Sequence, residues 1–328
     1  MNIAFFYDNQ EDYFLTDKIQ FADFCLDDEA AVIVDSLQEL GHTVTVIKGP
    51  EALRKSLHNI NSFDLVFNKS EGFKSRNREG LVPAMLEYYN IPFTGTDAYG
   101  FSLSLNKYHT KLIALDNDIL TPNFVVINSI NEINKIRELQ FPIIIKPNSE
   151  GSSIGCRVFY QNSKQEILQH INELVDEFNQ PVIVEEYIKG IDVSVPIIGN
   201  KETANCLGIV EFSCLDGSYP EIASTDIKYV EGFRTKIIED NTFFTEKIKS
   251  DSLKIYNALG CNDYARVDFR ITEDAAYFLE INPLPTLFLN GAFDVCAKSD
   301  NQNIKDVIKR IVDSAIERYI GKKQWKKL

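Results

Sequence analysis

The sequence predicts an α/β protein built as three packed units, the first of them an open parallel sheet. Three observations lead there. Strand-like and helical runs alternate along all 328 residues. The first strands are spaced strand–helix–strand, as parallel pairing requires. No internal repeat, low-complexity tract or long linker interrupts the chain. The length allows two or three domains, and 44% hydrophobic with 25% charged residues is ordinary for a globular protein.

Residues 2–7 (NIAFFY) read as a buried strand. After an acidic irregular stretch, residues 29–40 have helical spacing, with Ala30, Ile33, Val34, Leu37 and Leu40 apolar and Gly41 placed to end the helix. HTVTVI alternates as a second strand, and residues 63–67 (FDLVF) form a third. The first strand runs into YDNQEDYF rather than a glycine-rich turn, so no dinucleotide site is expected there. Residues 78–89 predict a helix with an early Pro83, and residues 101–115 another that carries Lys107 and Lys111. Then come strand 123–127, helix 129–139, strands 141–146 and 156–160, helix 164–178 and strand 181–187. Strands in DVSVPIIG and ANCLGIVEF, an irregular stretch, helix 246–259, two strands within residues 264–288 and a final helix over 304–320 complete the chain.

A net charge of −14 opposes general nucleic-acid or anionic-membrane binding, since both need a basic face. The basic cluster at residues 322–327 reads as a solvated tail. Six scattered cysteines without metal-ligand spacing imply reduced thiols, mostly small core residues. The N-terminal MNIAFFYDNQ has neither a charged leader nor a long apolar run. A cytoplasmic protein is expected.

The chemistry concentrates in YARVDFRITEDAAYFLEINPLPTLF, residues 264–288. Arg266, Asp268 and Arg270 share one face of the first strand, and Glu280 and Asn282 share one face of the second. If the runs pair, three oxygen donors meet a guanidinium, an arrangement suited to a hard divalent cation and a phosphate. A solvated strand face is the plainer alternative. The loop NSEGSSIG (148–155) adds two glycines for close approach and the hydroxyls of Ser152 and Ser153, although a bare hairpin would look similar. Lys146 ends an apolar strand, where a buried ammonium needs an anion. Lys107 is a second candidate cation, or a solvated one. Glu185, Glu186, Tyr187 and Ile188 leave an apolar strand and make a hinge whose backbone suits a purine edge. There Glu185 suits an exocyclic amine and Asp192 ribose hydroxyls, unless these acids merely lie on an exposed edge.

Together, REGLVPAMLE, IPFTGTDAYGFSLSLNKYHTK, IIIKPNSEGSSIG, VIVEEYIKGIDVSV, STDIKY, ARVDFRI and FLEINPLP resemble the ATP-grasp superfamily, and within it the D-alanine–D-alanine ligase family. The resemblance implies an α+β / α/β ATP-grasp fold. Residues 1–100 would form the N-terminal parallel α/β domain, and two α+β lobes, 101–189 and 190–328, would sandwich ATP. It further implies that Lys107, Lys146 and Lys228 contact the ATP phosphates, that Ser152 and Tyr229 act at the closing loops, and that Arg266 stabilises the transferring phosphoryl group. Asp268, Glu280 and Asn282 would hold Mg²⁺, as two ions, with Mn²⁺ an alternative. A homodimer is implied by the resemblance alone.

The substrate half departs from the family pattern. The Gly-Gly-x-Ser-x-Glu loop that holds the first amino group is replaced by NQEDYFLTDKIQFADFCLDDE, where Asp23, Asp27, Asp28 or Glu29 could pair with an ammonium or simply favour a helix dipole. FNKSEG, with Asn68 and Glu71, stands where the family has His-Gly. Thr286 replaces a glycine, and Gly291 lies near a missing serine. Arg76 and Arg78 are candidate carboxylate clamps, or for Arg78 a helix-start salt bridge. The expected activity is ADP-forming ligation of a small carboxylate to an amine through an acyl phosphate, on amino acids or a specialised metabolite. Alternatives are D-alanine–D-alanine ligase proper, ATP-dependent ring closure, and a non-catalytic ATP-binding module.

Overall fold

The computed structural model describes residues 1–8, 13, 24–73, 75–222, 232–239 and 243–321. Lys228, Tyr229, the closing loop around them (residues 224–231) and the 322–327 cluster lie outside the described residues.

Strand β1 (Asn2–Tyr7) pairs in parallel with β2 (Thr43–Lys48) and β3 (Leu65–Lys69), giving the order β2-β1-β3. Helix α1 (Asp27–Glu39) covers one face through Ile33 and Leu37, which are fully buried against Ile3, Phe5 and Phe67. Helices α2 (Pro50–Ser56) and α3 (Leu81–Tyr88) cover the other, where Leu53 and Leu86 join Phe6 and Val66. The sequence 101–115 predicted as one helix forms two, α4 (Ala98–Ser104) and α5 (Lys107–Asp116). The break has a local cause: the Asn106 side chain accepts from the His109 N–H at 3.0 Å and starts a new helix. It puts Lys107 at a helix start beside the Asn148 carbonyl, which accepts its N–H at 3.0 Å.

The second sheet is antiparallel throughout. Strands β4 (Phe124–Ile127), β5 (Ile143–Pro147), β6 (Arg157–Phe159) and β7 (Val182–Glu186) lie in the order β4-β7-β5-β6, with α6 (Lys164–Phe178) packed across them. The helix predicted over 129–139 is instead a 3₁₀ segment, Ile130–Glu138, with only Ile136 buried. Ile130, Ile133, Ile136 and Leu139 recur every three residues, the period at which a 3₁₀ turn stacks side chains on one face.

The third sheet begins with β8 (Ile191–Ile198), β9 (Asn205–Cys206), β10 (Val210–Cys214) and β11 (Phe233–Ile237). It is completed, beyond helix α7 (Phe243–Ala258), by β12 (Tyr264–Ile271) and β13 (Ala276–Asn282). Its order is β11-β10-β8-β12-β13, and β9 pairs with β8. The connection from β7 to β8 passes Gly190, where an added Cβ would run into the Ile271 carbonyl oxygen. Only glycine allows that approach. Helix α8 (Ala292–Ser299) and helix α9 (Ile304–Gly321) follow. Although α9 comes last, Val307, Ile308 and Ile311 join the core between α1 and β1. All six cysteines are unpaired; Cys25, Cys261 and Cys296 are buried, and Cys156, Cys206 and Cys214 are half-buried. Among the described residues no helix is long and apolar enough to cross a membrane.

Candidate active site

A cleft of about 490 Å³ lies between the second and third sheets and is closed at one end by the N-terminal unit. Its floor is the β12–β13 hairpin. The antiparallel register sets Arg266 opposite Asn282 and Asp268 opposite Glu280, with a bulge just after Asp268. All four side chains therefore reach one patch. The Arg266 Nε and Nη2 atoms each donate to an Asp268 carboxylate oxygen at 2.9 Å. The Asn282 amide donates to Asp268 Oδ2 at 2.7 Å, and the Ser194 hydroxyl on β8 donates to Oδ1. Lys107 pairs with Glu280 at 3.0 Å and donates to the Glu150 carbonyl at 2.5 Å.

The roof is the loop after β5. Ser152 and Ser153 line the cleft and hold positive φ angles of 48° and 58°. That left-handed region costs a non-glycine residue about 1–2 kcal/mol, and such strain concentrates at functional sites. At the back, Lys146 of β5 and Lys111 of α5 pair with the same Glu185 oxygen, at 3.0 and 3.3 Å. Glu185 is only 1% exposed. Burial works against its charge, but Lys111 and Lys146 outweigh burial and hold its carboxyl below the ordinary value. Lys111, also fully buried, is pushed down to about 8 by burial despite Glu185, while Glu185 holds Lys146 above the usual lysine value.

The hinge differs from expectation. Glu185, Glu186, Tyr187 and Ile188 do not line the cleft. The Glu186 and Tyr187 N–H groups are taken by the Asn123 and Pro142 carbonyls, and the Glu186 carboxylate by Gln140 and Asn123. Tyr187 instead stacks under Arg270, which also pairs with Asp192 at 3.2 Å. Asp192 does line the cleft.

Of the substrate candidates, Glu71, Thr286 and Gly291 line the cleft; Asn68, Arg76 and Arg78 do not. Arg76 is exposed. Arg78 is buried and donates to the Ser149 carbonyl at 2.6 Å, with Glu150 and Glu79 at 3.5 and 3.6 Å. It therefore ties the N-terminal unit to the roof loop, and its pairing with Glu79 matches the helix-start salt bridge. Asn68 is fully buried and accepts from the Ser70 N–H and hydroxyl, so it shapes its own turn. Glu29, an ammonium candidate, is taken by Lys69 at 3.2 Å and the Leu287 N–H at 2.7 Å. Asp27 is exposed and pairs with Lys48 at 2.7 Å, Asp28 is exposed, and Asp23 lies outside the described residues.

Sequence reasoning missed Asp8 and Lys69, and it named Arg270 and Lys111 without giving either a role. Asp8 accepts from the Glu71 and Gly72 N–H groups at 2.7 and 2.9 Å, so β1 ends by fixing the loop that carries Glu71. The signal for Lys69 was present: FDLVFNK is an apolar strand running into a lysine, as IIIK is at Lys146.

Two antiparallel lobes face each other over a lysine- and carboxylate-lined cleft, behind a parallel α/β unit, and this is the layout of an ATP-grasp fold. Residues 116–313 match the D-ala D-ala ligase C-terminus family, and the chain belongs to that family, which makes it an ADP-forming ligase of carbon–nitrogen bonds. The uncharacterized protein y4sG of Sinorhizobium fredii is 30% identical over 300 residues, covering 88% of each chain. The D-alanine–D-alanine ligase of Aquifex aeolicus is 30% identical over 281 residues, covering 85% of this chain and 92% of its own. The crystal structure of D-alanine–D-alanine ligase from Bacillus anthracis superposes with a TM-score of 0.79 at 21% identity, covering 98% of this chain and 99% of that one. The VanG D-Ala:D-Ser ligase of Enterococcus faecalis gives 0.74 at 19%, covering 96% and 99%. At those identities the two structures speak for the fold.

ATP and Mg²⁺ are the cofactors of this class. The residues present fit the metal: Asp268, Glu280 and Asn282 offer hard oxygen donors at one wall, few enough for phosphate oxygens to complete a magnesium shell.

Proposed function

We infer that this ligase couples a small carboxylate to an amine of more apolar character than D-alanine. In the first half-reaction the carboxylate oxygen attacks the γ-phosphorus, the bridging P–O bond breaks and ADP leaves. In the second, the amine attacks the acyl carbon and the C–O bond to phosphate breaks. A free carboxylate would have to expel oxide, which is why activation is needed. Lys107 and Lys146 neutralise the phosphates, Arg266 meets the charge that develops on the phosphoryl oxygens and the tetrahedral centre, and the Ser152–Ser153 loop keeps water from the acyl phosphate. Bound through Asp268, Glu280 and Asn282, Mg²⁺ supplies charge neutralisation on the phosphates.

One observation carries the substrate reading. At the far end of the cleft Phe288 and Leu289 are 46% and 53% exposed and line it. The Phe288 ring also fills the space beside Gly291, where a Cβ would meet ring carbons at 3.3 Å. The resemblance puts a serine that holds a second substrate's carboxylate near position 291, and here a glycine stands beside an aromatic wall instead. Glu71 supports an ammonium-bearing substrate from the N-terminal side.

The test is phosphate release from ATP with Mg²⁺ and a panel of carboxylates and amines, the products being weighed by mass spectrometry. Apolar or aromatic amines should exceed D-alanine in kcat/KM by about tenfold or more, and Phe288→Ala should remove that advantage while leaving the KM for ATP in place. D-Alanyl-D-alanine as the best product would sink the substrate reading. A product lighter than its precursor by one water, made without an added amine, would favour ring closure. ATP binding with no turnover across the panel would favour the binding module.

A further inference from the structure

The turn after β13 reads Asn282-Pro283-Leu284-Pro285-Thr286-Leu287, and its two prolines carry no backbone N–H. Such a turn has few donors with which to brace itself, and its polar backbone groups are met from the opposite end of the chain. Lys69, the last residue of β3, donates to the Pro285 carbonyl at 2.8 Å and to the Leu284 carbonyl at 3.4 Å. Glu29, in the first turn of α1, accepts the Leu287 N–H at 2.7 Å. The two pair at 3.2 Å with side chains 1% and 5% exposed. Burial opposes the Lys69 ammonium, but Glu29, and after it Tyr264, Cys25 and Glu71, hold it charged and above the ordinary lysine value.

We propose that Glu29 and Lys69 are positioning residues: a buried brace, rooted in the N-terminal unit, that fixes turn 282–287 and so sets the Asn282 oxygen at one end and Thr286 at the other. The proposal rests on the ligase reading above. Neither residue touches a substrate. Each acts through the turn, and the N-terminal unit thereby becomes part of the metal site. The sequence supports the same division of labour, since Pro283 and Pro285 limit the turn's backbone freedom while Lys69 and Glu29 choose its position.

The experiment compares Lys69→Met, Glu29→Gln and the double variant in the full chain. ATP affinity is measured by titration calorimetry with Mg²⁺ and with EDTA, alongside melting temperature. Each single variant should lose about tenfold of the affinity gain that Mg²⁺ gives, with EDTA affinity unchanged. The double variant leaves no lone buried charge, so it should recover melting temperature but not the Mg²⁺ gain. Recovery of both in the double variant, or an unchanged gain in all three, overturns the brace. A wild-type protein whose ATP affinity ignores Mg²⁺ overturns the ligase reading itself.

Discussion

Replacing Arg266 by alanine should lower turnover by about a thousandfold or more while ATP affinity stays within about tenfold. The guanidinium sits on the cleft floor, held in a two-point grip by Asp268. That grip fixes its plane before any substrate arrives, so its charge is ready where the phosphoryl oxygens and the tetrahedral centre gain theirs. On the proposed reading, ground-state nucleotide binding depends more on Lys107 and Lys146, which remain. ADP release and calorimetric ATP titration on the same preparation separate the two effects. If the variant loses its cooperative melt instead, Arg266 is a structural residue and the assignment fails.

The largest effect on stability should come from Glu185. Among the described residues it alone pairs with both Lys111 and Lys146, and all three are fully or nearly buried. Glu185→Ala would leave two buried ammonium groups facing each other, and breaking a buried pair in this way typically costs about 3–5 kcal/mol. Urea unfolding measures it; a loss under about 1 kcal/mol would mean that the lysines discharge or reach water. Lys111→Met is the informative companion, because it leaves a one-to-one pair. Burial holds the Lys111 ammonium at about 8, below its ordinary 10.5. Between those values the unfolded chain binds the proton more tightly than the folded one, so this residue's contribution to stability rises with pH. The rise is roughly 1.4 kcal/mol per pH unit at its steepest. Wild type should therefore gain on Lys111→Met as pH climbs from 8 to 10, and parallel curves would refute the shift.

The convergence of side chains on the cleft floor was legible in the sequence because they lie on strands. Period-two alternation put Arg266, Asp268, Glu280 and Asn282 on common faces, and antiparallel pairing did the rest. Lys146 was legible by a burial argument. The same argument applied to Lys69 and was not made, so the Glu29 pair stayed hidden. It joins residues 40 positions apart in sequence through tertiary packing that no local pattern encodes. For Arg78 the stretch SRNREG left a carboxylate clamp and a helix-start salt bridge open, and a 3₁₀ turn over Arg78–Gly80 carries it inward to the Ser149 carbonyl, beside Glu79. The split between α4 and α5 turned on one capping side chain, Asn106, in a stretch whose apolar spacing otherwise runs straight through.

The cleft is already an electrolyte in balance. Lys107 rests on Glu280, Lys146 on Glu185 and Arg266 on Asp268, so cations suited to phosphate are neutralised by acids, two of them suited to a metal. A nucleotide entering alone would draw Lys107 away from Glu280 and leave that carboxylate and Asp268 facing the phosphates. Entering with divalent cations, it exchanges partners and leaves no charge unmatched. Nucleotide uptake then resembles ion exchange more than the filling of a basic trough. It should accordingly vary little with ionic strength and steeply with free magnesium.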